Sequence, residues 1–205
     1  MSISYKIISK FYGLLDIIYF KNNLKNPRLI ILNKIKNSDS MLLEIAVGTA
    51  KNSILLAKND PNLKIIGIDL SEQMLKIARK LVTKENIPNI EFMKMDGTNL
   101  QFNKETFDYI IVSLLLHELT EDVSDKIFNG CLNVLKNDGK IYILEWEEPK
   151  KILQKIMFLM IKLIEPKEYK HFMAKDLDKY FSKNGFKINS IEYGDYSKVM
   201  ELMKI

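Results

Sequence analysis

Three acidic side chains stand within or at the ends of apolar runs, and their placement suggests ligand chemistry before any fold is considered. Glu44 lies in Leu42-Leu43-Glu44-Ile45, Asp69 closes Ile65-Ile66-Gly67-Ile68-Asp69, and Asp96 closes Phe92-Met93-Lys94-Met95-Asp96. Asp69 follows Glu44 by 25 positions, and a carboxylate there can accept hydrogen bonds from both ribose hydroxyls of a nucleoside ligand. Asp96 is suited to accept from an exocyclic amine, and Gly97 lets a flat ring pack close. Directly after Glu44 comes Ile45-Ala46-Val47-Gly48-Thr49-Ala50, whose small residues at 46, 48 and 50 let backbone approach a ligand. Each feature also has a plainer role: a tight turn for the loop and for Asp96-Gly97, and a favourable charge at a helix N-terminus for Asp69.

Positioning these residues requires a sheet. From Met41 onward short apolar runs alternate with amphipathic segments, the pattern of strand and helix units around a mostly parallel sheet. The expected strands are 41–47, 63–69, 90–95, 107–113 and 139–146, each near-continuous in hydrophobic character, as suits strands covered on both faces. A helix starts at about Lys51. Ser71 caps a second whose apolar positions Met74, Ile77, Ala78 and Leu81 share one face. A third runs from Asp122 to Leu135 and stops at Asn137-Asp138-Gly139. Polar residues suggest another near 175–183, and a turn at Gly194-Asp195 pairs 186–193 with 196–203 antiparallel at the sheet edge. The expected fold is therefore α/β and Rossmann-like: a seven-stranded, mostly parallel sheet with helices on both faces and an antiparallel C-terminal hairpin.

The 205 residues, 47% of them hydrophobic, suffice for one sizeable core. The expected organisation is one domain over 1–205: a helical lid segment at 1–40, a cofactor-binding core at 41–148, a helical substrate cover at 149–184 and a terminal hairpin at 185–205. The net charge of +5 is dispersed and arginine occurs only at Arg28 and Arg79, which argues against sequence-specific nucleic-acid readout. The single cysteine, Cys131, sits among apolar neighbours as a buried structural residue, and a reducing, cytoplasmic setting fits. The spacing of His117, His171 and the acids forms no metal-ligand pattern, so no metal is expected.

Residues 152–164 hold ten apolar residues of thirteen. That is too short to cross a bilayer, which takes about 20 residues. Four roles remain open for this stretch: core, a cover over a hydrophobic substrate, a homodimer contact, or peripheral membrane contact.

The segments Leu43–Ala50, Gly67–Met74, Met95–Thr98 and Phe107–His117, in that order, resemble the class I S-adenosylmethionine-dependent methyltransferases, especially the group containing the quinone-biosynthesis and small phospholipid N-methyltransferases. The resemblance covers roughly residues 5–205. It implies S-adenosyl-L-methionine as cofactor, with Glu44, Ala46 and Gly48 at its methionine part and Asp69 at its ribose. Leu70 and Met74 flank the adenine on one side, Asp96 and Gly97 on the other, and Ser113 lies beside the sulfonium. Phe11-Tyr12-Gly13 resembles the aromatic segment that lies over the cofactor, making Tyr12 a candidate lid contact, although an aromatic packed on the core fits equally well. Ala46 and Ala50 stand where the family commonly has glycine, so Ala50 adds a methyl next to the helix start. The G-x-G-x-x-G spacing of nicotinamide dehydrogenases is absent.

Methyl transfer from a sulfonium is an in-line displacement, so alignment and a dry pocket supply much of the acceleration. A hydroxyl acceptor must also lose a proton. His117, just past the fourth strand, is the catalytic candidate for taking it; the alternative is a structural histidine bonded to backbone. The resemblance implies a small, apolar acceptor such as a quinone precursor, a lipid amine or a thiol. An RNA or protein methyltransferase and a non-catalytic cofactor-binding subunit are the competing readings. The run Ser113-Leu114-Leu115-Leu116 differs from the Asn-Pro-Pro-aromatic tetrad of many nucleobase N-methylating enzymes.

Overall fold

A computed structural model describes residues 25–36, 39–164 and 166–205. The elements, in order, are α1 (Pro27–Lys34), β1 (Met41–Ile45), α2 (Lys51–Asn59), β2 (Lys64–Asp69), α3 (Glu72–Lys84), β3 (Ile90–Lys94), β4 (Phe107–Ser113) and a 3₁₀ turn (Leu116–Glu118). They continue with α4 (Glu121–Val134), β5 (Leu135–Trp146), α5 (Ile152–Ile164), α6 (Lys167–Met173), α7 (Leu177–Lys183), β6 (Phe186–Tyr193) and β7 (Ser197–Lys204). The seven strands form one sheet in the order β3-β2-β1-β4-β5-β7-β6. β1 to β5 run parallel, and β7 is antiparallel to both β5 and β6.

Side chains of a strand alternate between faces, and both faces here are apolar. On one face Leu43, Ile45, Ile110, Val112, Ile141 and Ile143 pack against α4 and α7 through residues such as Phe128, Cys131 and Phe181. On the other, Leu42, Ile65, Ile111, Tyr142 and Leu144 meet Ile31 of α1, Leu56 of α2 and Val82 of α3. Burial in that first cluster pushes the Cys131 thiol up to about 12, so it serves as an apolar filler. The period-two alternation also puts Glu44 and Ser113 on the α2 side of the sheet, where polar residues of that helix can reach them.

Helix starts follow local chemistry. The Ser71 hydroxyl accepts the Met74 amide at 3.3 Å, capping α3 as its sequence implies. Asp176 caps α7 by accepting the Lys179 amide at 3.2 Å, so that helix begins at Leu177 rather than at Lys175. α6, which starts directly after Pro166, is an additional helix that the polar composition of the region did not announce.

The fifth strand is longer than expected. α4 passes into it without a break, Leu135 pairs with Phe107 and Lys140 with Tyr109, and the register shifts between them. Asn137-Asp138-Gly139 therefore sits in a bulge inside the strand and does not form a separate turn. The 194–195 turn closes as anticipated, with the Gly194 amide donating to the Ser197 carbonyl at 2.7 Å. β7 inserts between β5 and β6, leaving β6 at the sheet edge. Among the described residues no helix is long and apolar enough to cross a membrane.

Candidate functional site

The order in which strands are added reverses between β1 and β4: β2 and β3 extend the sheet to one side, β4, β5 and the hairpin to the other. In open α/β sheets the crevice beyond the carboxyl ends of the strands at such a point is where ligands bind. A cavity of about 410 Å³ lies there, within the range of small-molecule sites. Of the ten cofactor-contact candidates, the nine among the described residues all line it: Glu44, Ala46, Gly48, Asp69, Leu70, Met74, Asp96, Gly97 and Ser113. Tyr12, the tenth, lies outside the described residues.

The β1–α2 loop is held by backbone bonds and by one carboxylate. Val47 extends the β1 ladder by donating to the Ile68 carbonyl at 2.9 Å, and the Ala50 amide closes the turn on the Val47 carbonyl at 2.8 Å. Ala46, Gly48 and Ala50 all take left-handed backbone, with φ of 55°, 54° and 61°. Glycine adopts that conformation freely and alanine does so at a cost. The two alanines nevertheless point to different places. Ala46 lines the cavity, whereas the Ala50 methyl is fully buried among Val47, Leu75 and Ala78, so it takes no space from a ligand.

Asp69 accepts the Gly48 amide on Oδ2 and the Ser71 amide on Oδ1, both at 2.8 Å. It thus ties the loop to the start of α3, and each oxygen keeps further lone-pair capacity for a ligand. Asp96 accepts the Thr98 amide at 2.9 Å and the Thr98 hydroxyl at 2.8 Å. Those bonds hold its carboxyl below the usual value. At Gly97 an added Cβ would come within 2.9 Å of Ile45 Cγ2, so the close approach this glycine permits is to the β1 side chain beneath it.

Glu44 is almost wholly buried. It accepts Asn52 Nδ2 at 2.7 Å, the Ser53 amide at 3.2 Å and the Ser53 hydroxyl. Burial raises its pKa against the opposing pull of those hydrogen bonds and of the Arg28 charge. Asn52 also donates to Ser113 Oγ at 2.8 Å and accepts Arg28 Nε at 3.0 Å. A polar network from α1 through α2 thereby joins the ends of β1 and β4. Arg28 and Asn52 both line the cavity, and sequence reading missed them. The available signals were the position of Asn52 in the first turn after the loop and the scarcity of arginine.

The β4 side of the cavity is apolar: Leu114, Leu115, Leu119, Val123 and Ile127 form it, with Glu118 beside them. Leu114 takes a left-handed φ of 51°, an outlier for a bulky residue. His117 is not in the lining. Its side chain is 1% exposed and its Nδ1 lies 2.5 Å from Glu145 Oε2, while Glu145 Oε1 accepts the amides of Leu115 at 3.2 Å and Leu116 at 2.8 Å. The pair fastens the turn after β4 to the end of β5, and the edge of the α6 ring Tyr169 meets the His117 ring at 5.9 Å. Glu145 and Trp146 are likewise buried away from the lining. Among the described residues no three His, Cys, Asp or Glu side chains gather as a metal-binding group.

Residues 42–139 match a family of methyltransferase domains. The demethylmenaquinone methyltransferase of Thermotoga maritima is 30% identical over 162 residues, which cover 78% of this chain and 68% of that protein. The ubiquinone/menaquinone biosynthesis C-methyltransferase UbiE of Wigglesworthia glossinidia brevipalpis is 35% identical over 116 residues, covering 55% and 45% respectively. The chain spans about half the length of several of the relatives it matches. In fold it resembles the crystal structure of a SAM-dependent methyltransferase from Aquifex aeolicus, with a TM-score of 0.73 at 18% identity over 96% of this chain and 98% of that one. With the strand order, the strand-end cavity and these relatives taken together, the chain belongs to the class I S-adenosylmethionine-dependent methyltransferases and resembles their quinone-biosynthesis group.

Proposed function

We propose that this chain binds S-adenosyl-L-methionine in the strand-end cavity and methylates a small, apolar acceptor. The observation that carries the reading is one cavity whose lining joins the polar side chains of Glu44, Asn52, Asp69 and Arg28 to the apolar residues Leu114, Leu115, Leu119, Val123 and Ile127 that follow β4. The donors and acceptors among the polar residues suit the cofactor's charged and hydroxylated groups. Spare lone pairs on Asp69 would accept the ribose hydroxyls. Arg28 would hold the carboxylate, and Glu44 with Asn52 the amino group. Asp96 would accept from the adenine amine, with Leu70, Met74 and Gly97 beside the ring.

When bound, the cofactor supplies an activated methyl on a sulfonium. Ser113 and Leu114 would border that methyl, and the apolar wall would exclude water from it. Within this wall Glu118 is the single titratable side chain, and its carboxylate is exposed. Such a wall suits an acceptor that arrives nucleophilic, as an electron-rich ring carbon, a neutral amine or a thiolate, and draws on alignment more than on a protein base. Held by Glu145 behind the lining, His117 acts in this reading as a positioning residue for the turn that carries the wall.

Calorimetric titration with S-adenosyl-L-methionine, paired with methyl transfer from labelled cofactor to organic extract, RNA and protein fractions, tests the reading. Binding that falls at least about tenfold in Asp69→Ala, with label in the organic extract, is expected. Label confined to RNA or protein would overturn the acceptor assignment, and absence of cofactor binding would overturn the whole.

A further inference from the structure

α5 carries its apolar face outward. Phe158 alone among its described side chains is buried, held between Trp146 and Tyr196 at ring distances of 6.2 Å. Ile152, Leu153, Ile156, Leu159 and Leu163 lie in solvent, the first and last of them 79% and 78% exposed. At 100° per residue these five occupy the side of the helix opposite Phe158, while Gln154, Lys155 and Lys162 fall toward the Phe158 side. An amphipathic helix of a water-facing surface has the reverse arrangement. A contiguous apolar row of this kind marks an interaction surface.

The charges around the row select its partner. Lys150 and Lys151 precede the helix, Lys155 and Lys162 flank it, and Lys167 and Lys170 follow it, all exposed. Of the nearby acids, Glu148 pairs with Lys162 and Glu147 with Lys198 at 2.9 Å; Glu165 and Glu168 alternate with Lys167 and Lys170 in the sequence, so the excess positive charge lies at Lys150, Lys151 and Lys155. An anionic surface with an apolar interior complements both the row and its lysines. At about 20 Å the helix is too short to cross a bilayer core of about 30 Å, so it would lie in the plane of the interface.

We propose that α5 docks the protein on an anionic lipid surface, with its apolar row among the acyl chains. The purpose of this docking rests on the reading given above, that the acceptor is apolar. Leu114 connects the two sites: it lines the cavity and also packs against the Trp146–Phe158–Tyr169–Tyr196 cluster beneath α5.

Co-sedimentation of the full chain with phosphatidylcholine vesicles, with and without phosphatidylglycerol, tests the proposal. Binding to the anionic vesicles that weakens with salt is expected. Ile156→Gln and Leu163→Gln should each weaken it by about tenfold, while Lys150→Gln with Lys151→Gln should weaken binding only where phosphatidylglycerol is present. Thermal unfolding and cofactor titration of the same variants should match the parent, since none of these side chains reaches the core or the cavity. Equal vesicle binding by parent and variants would overturn the proposal. So would absent vesicle binding together with a dimer, seen by sedimentation, that Ile156→Gln dissociates. Vesicle binding by a chain that binds no cofactor would leave the docking standing and remove only the methyltransferase reading.

Discussion

Ala46 and Ala50 have the same backbone conformation but different surroundings, so the same substitution at the two sites separates strain from packing. For Ala46→Gly, left-handed backbone costs an L-residue about 1–2 kcal/mol, and glycine's extra freedom in the unfolded chain returns about 0.5–1 kcal/mol of that. Ala46 borders the cavity and does not lie in the core, so the net effect is a gain of about 0.5–1 kcal/mol, or a Tm higher by about 1–4 °C for a chain of this size. Ala50→Gly relieves the same strain but deletes a fully buried methyl, worth about 0.8 kcal/mol, which brings the net change close to zero. Gly48→Ala is the reverse control. Its new Cβ would have no neighbour nearer than 4.0 Å, so only the backbone cost applies, and a loss of about 0.5–1 kcal/mol is expected. Thermal unfolding followed by circular dichroism, without ligand, measures all three. The reasoning is wrong if Ala50→Gly stabilises as much as Ala46→Gly, or if Ala46→Gly lowers Tm.

Gly97→Ala places a methyl 2.9 Å from Ile45 Cγ2 and should cost about 1–3 kcal/mol; adding Ile45→Ala should recover part of that cost, and simple additivity in urea unfolding would contradict the contact. Because burial holds the Glu44 pKa above 4.5, the native state keeps a proton that the unfolded chain has released. Stability from this group is therefore full below pH 4.5 and declines as pH rises through the native value. Glu44→Gln should remove that slope, and parallel urea-midpoint profiles for the two proteins across this range would rule it out. Glu121, held at about 2 by Lys175 and Lys183, is depressed, so its contribution is present above 4.5 and lost as pH falls toward 2. Carboxyl-carbon NMR titration of the Lys175→Gln, Lys183→Gln variant should return it toward 4.5, with little effect on stability because the groups are exposed and screened.

The features readable from sequence were those with local causes. Apolar runs carrying Glu44 and closing on Asp69 and Asp96 mark strands whose carboxyl ends converge, and the Ser71 cap and the 107–113 and 186–193 strands follow from pattern alone. Interactions between distant segments were not readable. One of the two amide partners of Asp69 lies 21 residues earlier, and the Arg28–Asn52 bond spans 24 residues. His117 lies close to the site in sequence, but Glu145, 28 residues later, turns its ring away from the cavity. The direction of α5 was equally hidden, since ten apolar residues in thirteen suit a core helix as well as an outward-facing one. The bulge in β5 shows a correct turn signal in an unexpected setting: Asn137-Asp138-Gly139 does bend the chain, but inside a strand.

The insertion of β7 between β5 and β6 sets the order in which the sheet can be completed. During synthesis at about 5–20 residues per second, β1 to β5 emerge and can pair in parallel while β6 still has no neighbour to join. Its first partner is the strand made after it. When Ser197–Lys204 arrives, it closes the β5 and β6 ladders together, burying Val199, Met200 and Leu202. Until then β5 presents a bare edge rich in Ile and Leu, the kind of surface that recruits other chains. The last strand thus acts as a keystone, and nascent or trimmed chains lacking it are the aggregation-prone species of this protein.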